Sequence, residues 1–534
     1  MEPLLERISK RTAVIGVVGV GYVGLPLAIE LSENQFRVVG IDVSRSVVTA
    51  LNSGKSTVEG IRDERVKAAV GNLLDLVVLN RRKPAATSRL ILDKLLGIDV
   101  FIVCVPTPLN QTKESEPDTS YIEQACGLIE RVCQIEKKGS RLPKERLIVL
   151  ESTTYPGTTR KIFSPLLEKY ADNERQWYLA YSPERTSPGP GAYEADTDTA
   201  QDIRSDEEHY PPTFQITRIV GGQDDNSRDT ARALYESVFD EVRTVESLET
   251  AEMIKLVENT FRFTSIAFAN EMARIAKSLR LNIWEIIDAA RSKKFGFELC
   301  FPGLIGGHCL PIDPHYLGWT TRNKRVAATF VDVAESEHQN MRREAFDLIQ
   351  RLLNQQNRGI ARASILFLGV SYKKNVGDIR ESAAIKLMES LYASGATVSF
   401  WDPVRAKHPA KPDIRLIFTE DQRQELPKDL AAQLQWDLEK QRAYVEPIPI
   451  SGTWDELKSG ILGSAYNCVV IATDHNDFRL AYRDLTVSED APPIADLCNA
   501  ISLWLRDADI SEDDRKRINR KLNERRNYML LGLH

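Results

Sequence analysis

The hexapeptide Gly19-Val20-Gly21-Tyr22-Val23-Gly24 constrains the fold more than any other part of this chain. It stands between a β-rich run, Thr12 to Val18, and a helical segment, Leu25 to Asn34, which leads into a second strand, Arg37 to Ile41. In that setting the first glycine permits a tight turn, the second lets backbone approach a diphosphate, and the third lets helix and strand pack closely. The strand, turn, helix, strand order implies an α/β fold built on doubly wound parallel sheets. The second strand ends in Asp42, about 20 residues on, where a carboxylate accepts hydrogen bonds from adenosine ribose hydroxyls. Asp42 also repels a 2′-phosphate, so the expected cofactor is NAD, not NADP, held by Gly19, Gly21, Tyr22, Val23, Gly24 and Asp42. Arg45 lies near enough to soften that preference, unless it is only a solvated helix residue.

Further strands carry polar residues at their carboxyl ends, where open parallel sheets bind ligands. Asp99 to Val105 ends in Pro106-Thr107-Pro108, Leu147 to Leu150 in the run Glu151 to Gly157, and Trp177 to Tyr181 in Ser182-Pro183-Glu184-Arg185. From Glu249 to Arg291 the helical period runs without a proline, as in an interdomain strut or a dimer seam, and Lys255 and Asn259 share one face. A second α/β unit follows without a full glycine fingerprint. Its strand Ala363 to Val370 leads through Ser371 to Arg380 into a helix ending near Leu391, then a strand, Thr397 to Trp401, ending in Asp402-Pro403. Cys468 to Ala472 continues that sheet, with Asp474-His475-Asn476 beyond its end. At 534 residues the chain exceeds one core. The expected division is a nucleotide-binding domain over 1–246, a central helical domain over 247–357 and a second Rossmann-like domain over 358–534. An acidic segment from Gly189 to Pro212 reads as an exposed excursion, and residues 404–455 as a polar insertion.

Composition excludes several classes. Hydrophobic residues at 42% and charged residues at 27% leave no case for disorder, and a net charge of −6 argues against nucleic acid as a partner. The apolar stretch Ala13 to Leu31 carries four glycines, Pro26 and Glu30, so it reads as strand, turn and helix and not as a leader. No later run approaches the roughly 18 apolar residues of a membrane span, so a soluble protein without membrane partners is expected. The seven cysteines are scattered, without a CxxC pair, which indicates no metal site, no disulfide framework and a reducing cytoplasm. One of them sits in Gly306-Gly307-His308-Cys309-Leu310-Pro311-Ile312-Asp313. A thiol there is either a small packing residue or a nucleophile beside a hydride acceptor, where addition to an aldehyde gives a thiohemiacetal that surrenders hydride readily. A thioester formed that way needs an activated water, and Glu184 is the loop carboxylate best placed to supply it.

With these motifs in view the chain resembles the UDP-glucose and GDP-mannose dehydrogenase family. The residues that carry the likeness are Cys104 to Leu109, Glu151 to Thr159, Tyr181 to Arg185, Lys294-Phe295-Gly296-Phe297, the cysteine octapeptide and Tyr372 to Val376. Within the family it is most similar to the UDP-N-acetylglucosamine 6-dehydrogenases. The resemblance implies oxidation of a sugar C6 alcohol to a carboxylate with two molecules of NAD and no free aldehyde, in a pathway supplying uronic acids for polysaccharide. It implies Cys309 as nucleophile, Lys255 and Asn259 as oxyanion stabilisers, Asp313 in proton transfer, Thr153 orienting water, and Glu184 as hydrolytic base. It adds Thr107, Thr153 and Arg380 to the cofactor contacts. Glu184, Arg185, Lys255, Asn259, Phe301, Gly306 and Lys373 become the contacts to the UDP-sugar, and the long helix becomes the seam of a homodimer or larger homo-oligomer.

Two departures from the family pattern stand out. The loop Pro302-Gly303-Leu304-Ile305 before Gly306 is one residue shorter and one glycine poorer, and Asp496-Leu497-Cys498-Asn499 lacks an arginine. Residue chemistry alone leaves UDP-N-acetylmannosamine, UDP-N-acetylgalactosamine and UDP-glucose open as substrates. It also leaves open a non-catalytic nucleotide-sugar scaffold, and a β-hydroxyacid dehydrogenase that would need neither the cysteine nor the third domain.

Overall fold

A computed structural model describes residues 2–78, 94–110, 116–139, 145–171, 176–186, 212–293, 295–298, 300–406, 414–418, 420–426, 428–437, 442–463, 465–488, 490–507 and short stretches between 512 and 530. The chain forms two compact units, Met1–Thr260 with Ile312–Ala328, and Phe261–Pro311 with Thr329–His534. Lys294 and most of the excursion before Pro212 lie outside the described residues.

The first unit is built on an eight-stranded sheet, β1 (Val14–Val18), β2 (Arg37–Asp42), β3 (Leu74–Val78), β4 (Val100–Val103), β5 (Glu145–Leu150), β6 (Gln176–Tyr181), β7 (Arg218–Gly222) and β8 (Val242–Val245). Their order is β3-β2-β1-β4-β5-β6-β7-β8, parallel except where β7 runs against β6. The central strands are apolar at nearly every position because both faces are covered. Alternate residues feed opposite cores: Ile15, Val17, Ile102 and Val149 point to one, Val18, Phe101, Val103 and Ile148 to the other.

The second unit holds a parallel sheet of β9 (Ser364–Leu368), β10 (Thr397–Trp401), β14 (Ile448–Pro449), β15 (Cys468–Ile471), β16 (Ile494–Asp496) and β17 (Tyr528–Leu530), in the order β14-β10-β9-β15-β16-β17. Its likeness to the first sheet is written in backbone geometry. Gly19 donates to Ile41 O at 2.8 Å, and Gly369 to Trp401 O at 3.0 Å. Val20 N then reaches Asp42 Oδ2 at 3.1 Å, as Val370 N reaches Asp402 Oδ2 at 3.0 Å. Both glycines have positive φ, 93° and 74°, and a Cβ on either would meet a carbonyl oxygen just past the end of a neighbouring strand, that of Cys104 2.4 Å from Gly19 and that of Thr473 2.6 Å from Gly369.

Two expectations need correction. The helical run from Glu249 to Arg291 is two helices, Leu248–Ser278 and Ile283–Ala290. Arg280 turns to a φ of 60°, and Asn282 Oδ1 then accepts from Trp284 N and Glu285 N. The pattern Asn-x-x-Glu at 282–285 is a start signal that the unbroken hydrophobic period conceals. The stretch 404–455, expected only as a polar insertion, has secondary structure of its own. It contains β11 (Leu416–Phe418), β12 (Gln435–Asp437) and β13 (Arg442–Val445) as an antiparallel sheet, and it contributes β14 to the edge of the main sheet. Among the described residues no helix is long and apolar enough to cross a membrane.

Candidate active site

The glycine turn joins β1 to the helix Gly24–Glu33. A Cβ at Gly24 would lie 1.8 Å from Gly19 O, so helix and strand meet there without room for a side chain. At Gly21 nothing lies within 4 Å of a Cβ position, which leaves open the face where a diphosphate must approach. Tyr22 and Val23 pack their apolar parts against the core beneath. Asp42 is aimed from two sides, by Val20 N and by Ser44 N at 2.8 Å. Arg45 is exposed at the start of the following helix. This turn fits a dinucleotide with free ribose hydroxyls. Thr107, past the end of β4, accepts through its carbonyl a 2.6 Å hydrogen bond from Tyr316.

The part of the helix Leu248–Ser278 that belongs to the same unit places Glu252, Lys255 and Asn259 on one face, three and four residues apart. Each holds a different loop. Glu252 accepts from Gly157 N at 2.5 Å, Thr159 N at 2.8 Å and Thr159 Oγ1 at 2.6 Å, so it caps the helix Thr158–Tyr170 that follows the Thr153 loop. Lys255 donates to the backbone carbonyl of Glu184. Asn259 donates to Asp313, the first residue of the helix Asp313–Asn323. Burial pushes the Asp313 carboxyl up to about 7 against the opposing pull of Lys255 and Asn259. Thr153 is half-buried just beyond β5.

Glu184 is treated differently. Burial pushes its carboxyl up, yet the Arg218 guanidinium, the Thr186 N–H and Lys255 outweigh that and hold it below the ordinary range. Two carboxylates of one unit, Glu184 half-buried and Asp313 buried, are therefore driven apart, Glu184 toward the ionised form and Asp313 toward the protonated one. Arg185 spends its guanidinium on Glu258, at 2.6 Å, and on Thr217 O, at 2.7 Å, tying the loop to the long helix. Sequence reading missed Glu252, Arg218, Glu151 and Tyr235. Their partners lie 34 to 95 residues away along the chain, beyond any local pattern.

The cysteine loop belongs to the second unit. Cys309 is half-buried, its Sγ 3.9 Å from His308 Nδ1. Gly306 and Gly307 lie against Tyr372: a Cβ on Gly306 would be 2.9 Å from Tyr372 Cβ, and one on Gly307 3.0 Å from its ring. Gly307, with a φ of 86°, also donates to Arg380 O at 3.1 Å. The loop thus packs on the segment that carries Lys373. Upstream, Asn270 clamps Gly303 by a pair of hydrogen bonds of 2.8 and 3.2 Å, while His338 Nδ1 stands 3.3 Å from Asn270 Nδ2 and Nε2 3.0 Å from Phe263 O. That arrangement assigns the proton to Nε2, and burial lowers the His338 pKa in keeping with a neutral ring. The Phe301 ring stacks on Trp284. The Arg380 guanidinium lies on Asp378, 2.5 Å away. Asp496 accepts from the backbone of Cys498, Ala500 and Ile501 and starts the helix Ala500–Asp507, and the residues after it, Leu497-Cys498-Asn499, include no arginine.

The first unit thus carries a dinucleotide turn, two carboxylates of opposed tendency, and an ammonium and an amide on one helix face, and the second carries the Cys309 thiol: a residue set suited to a nucleotide-dependent oxidoreductase. Residues 13–203 match the UDP-glucose/GDP-mannose dehydrogenase family's NAD binding domain, 249–339 its central domain and 366–502 its UDP binding domain. The chain belongs to that family, and its cofactor is NAD. It is 33% identical to a UDP-N-acetyl-D-mannosamine dehydrogenase of Pyrococcus horikoshii over 74% of this chain and 84% of that one. It is 28% identical to a UDP-N-acetyl-D-glucosamine 6-dehydrogenase of Salmonella typhi over 73% and 82%. The solved structure of a UDP-D-ManNAc dehydrogenase from Pyrococcus horikoshii matches with a TM-score of 0.69 and 26% identity, over 97% of this chain and 99% of that one.

The buried capping carboxylate gives a measurable consequence. Glu252 is pushed up by burial, against its hydrogen bonds from Thr159 and Gly157, from 4.5 to about 7. A raised pKa in the folded state favours folding at low pH, an advantage lost as pH rises through the folded value. The melting temperature of the native protein should therefore fall, relative to Glu252→Gln, between pH 4.5 and 7. Parallel melting curves across that window would show that Glu252 does not titrate there.

Proposed function

We propose that this protein oxidises the C6 alcohol of a UDP-N-acetylhexosamine to the carboxylate through a covalent adduct on Cys309. The observation that carries the reading is the single helix face on which Lys255 meets the Glu184 loop and Asn259 meets Asp313. The Gly19 to Gly24 turn and Asp42 would hold NAD, which would supply the hydride acceptor for both oxidations. Asp313, with a pKa near neutrality, suits removal of the alcohol proton. Lys255 and Asn259 suit the developing oxyanion, since both present N–H donors from a fixed helix. Cys309 adds to the aldehyde carbon, and the resulting thiohemiacetal gives a thioester after the second oxidation. Glu184, kept ionised beside Arg218, takes a proton from water as the water attacks that thioester. Thr153 orients the water, Thr107 adds a cofactor contact, and Lys373, Phe301, Gly306 and Arg185 bound the sugar nucleotide. Arg380 is assigned to the diphosphate of NAD.

Sequence reading alone favoured UDP-N-acetylglucosamine. The names borne by several relatives move the preference to UDP-N-acetylmannosamine. Offered separately with NAD, UDP-N-acetylmannosamine should yield two NADH per sugar, and UDP-N-acetylglucosamine, UDP-N-acetylgalactosamine and UDP-glucose less. Cys309→Ser should yield no net uronate while still binding NAD. Binding without turnover for any sugar would favour the scaffold reading.

The three-part division at 246 and 357 follows the order of the family's domains and belongs to this proposal, as does a cytoplasmic location. So does a homodimer. In the second unit Phe268 is 58% exposed, Leu279 62% and Phe330 82%, beside an apolar cleft of about 770 Å³ lined also by Phe261, Ile275 and Val333. Exposed apolar surface on this scale marks an association site, and the helices that carry it suit a second copy of the chain. Sedimentation should give a dimer for the native protein and a monomer for Phe268→Glu with Phe330→Glu. An unchanged dimer in that variant would place the seam elsewhere.

A further inference from the structure

Arg218 opens β7 and is almost wholly buried, although a guanidinium is among the costliest groups to remove from water. Its charge is shared between two carboxylates on different loops. Nη2 pairs with Glu151 at the end of β5, and Nη1 stands 3.5 Å from Glu184 Oε2 beyond β6. The rings of Tyr235 and Phe239 flank the guanidinium, each centroid 4.9 Å from Cζ. Tyr235 OH donates to Glu151, and Cys104 Sγ lies 3.9 Å from the same carboxylate.

We propose that Arg218 is a positioning residue that aims the Glu184 carboxylate and fixes its charge, and that Glu151 competes with Glu184 for the same cation. The proposal rests on the reading of Glu184 as the base that activates water. Arg218 sits too deep for a surface role, and its planar fork spans two acids where a lysine would reach one. The groups facing Glu184 are Arg218 from β7, Lys255 from the long helix through the backbone carbonyl, Thr186 from its own loop, and Glu151 and Cys104 from behind the arginine. Arg185 is turned to Glu258. Of these groups Arg218 does most to hold Glu184 ionised, while Glu151, its own carboxyl pushed up by burial and by Glu184 against the pull of Arg218, draws on the same guanidinium.

This competition gives shifts of opposite sign, which a purely structural role would not. An opposite charge within about 4 to 6 Å lowers a carboxylate pKa by roughly one to three units. Because Asp313 would set the acid limb of overall turnover, the readout is the pH profile of the thioester hydrolysis step, followed as uronate release after the burst in rapid mixing. Arg218→Met should move the acid limb of that profile upward by about one unit or more, and Arg218→Lys by less. Glu151→Gln, which keeps its shape and the Tyr235 hydrogen bond, should move it downward. In rapid mixing Arg218→Met should retain the first two hydride transfers, so an initial burst of NADH precedes slow hydrolysis. If both variants, folded by circular dichroism, leave the acid limb in place or move it the same way, the proposal fails. Glu151→Gln decides the matter alone if Arg218→Met does not fold, since an acid limb that stays or rises in that variant overturns the competition. Glu184→Gln tests the reading beneath: it should keep the burst and lose turnover, and normal turnover in that variant would remove the base role itself.

Discussion

One face of one helix fixes the first unit's chemistry. Over Leu248–Ser278, 31 residues that span about 46 Å at 1.5 Å per residue, Glu252, Lys255 and Asn259 fall on successive turns. Each grips a different segment: the Thr158 helix start, the Glu184 loop and the Asp313 helix start. A helix is a better ruler than a loop because its backbone hydrogen bonds fix the spacing of every side chain along it. Displacing any one of the three contacts would loosen a loop whose residues must act together.

The second constraint is electrostatic. Several charged groups of the first unit lie out of water, and burial alone would neutralise each carboxylate. Arg218 prevents that at Glu184, while Lys255 and Asn259 only partly offset it at Asp313. The outcome is a difference in charge without any difference in class of side chain: one carboxylate is held toward the ionised form and the other is pushed up to about 7, which suits the separate roles proposed for them. At the fold's other nucleotide-like turn, Asp402 takes the place that Asp42 holds in the first sheet, but its oxygens are spent on Val370 N, Ser371 and His475. The same backbone device thus recurs in both sheets, anchoring a loop in the second and holding Asp42 by Val20 N and Ser44 N in the first, where the proposed function gives it the ribose.

Much of this was legible in the sequence because its causes are local. The glycine spacing, the acid ending β2 and the apolar runs of parallel strands each follow from the chemistry of neighbouring residues, and β10 was placed at its observed bounds, Thr397 to Trp401. Lys255 and Asn259 were paired by helical period, and the structure gives both a partner near a catalytic candidate. The break at Leu279–Asn282 was legible too, in Asn282 and Glu285, but the apolar period runs through it and masks it. What sequence could not give were pairings that only the folded chain creates: Arg218 with Glu151 and Glu184, Glu252 with Thr159, and Asn270 with Gly303 and His338. The antiparallel strands at 416–445 were hidden in a polar, proline-bearing stretch whose alternation is short. The choice among UDP-sugars was not legible at all, because an N-acetyl group and a hydroxyl call for no distinct residue type.

The account stands on a covalent intermediate at Cys309, and peptide mass mapping of the Glu184→Gln variant, quenched after mixing with NAD and UDP-N-acetylmannosamine, tests it most directly. With the hydrolytic base removed, the account predicts a uronyl thioester on the peptide that carries Cys309, and none on the six other cysteines, all of them free thiols, with Cys104, Cys133 and Cys468 buried. Uronate release with no adduct at Cys309 at any time, or an adduct confined to another cysteine, would contradict it.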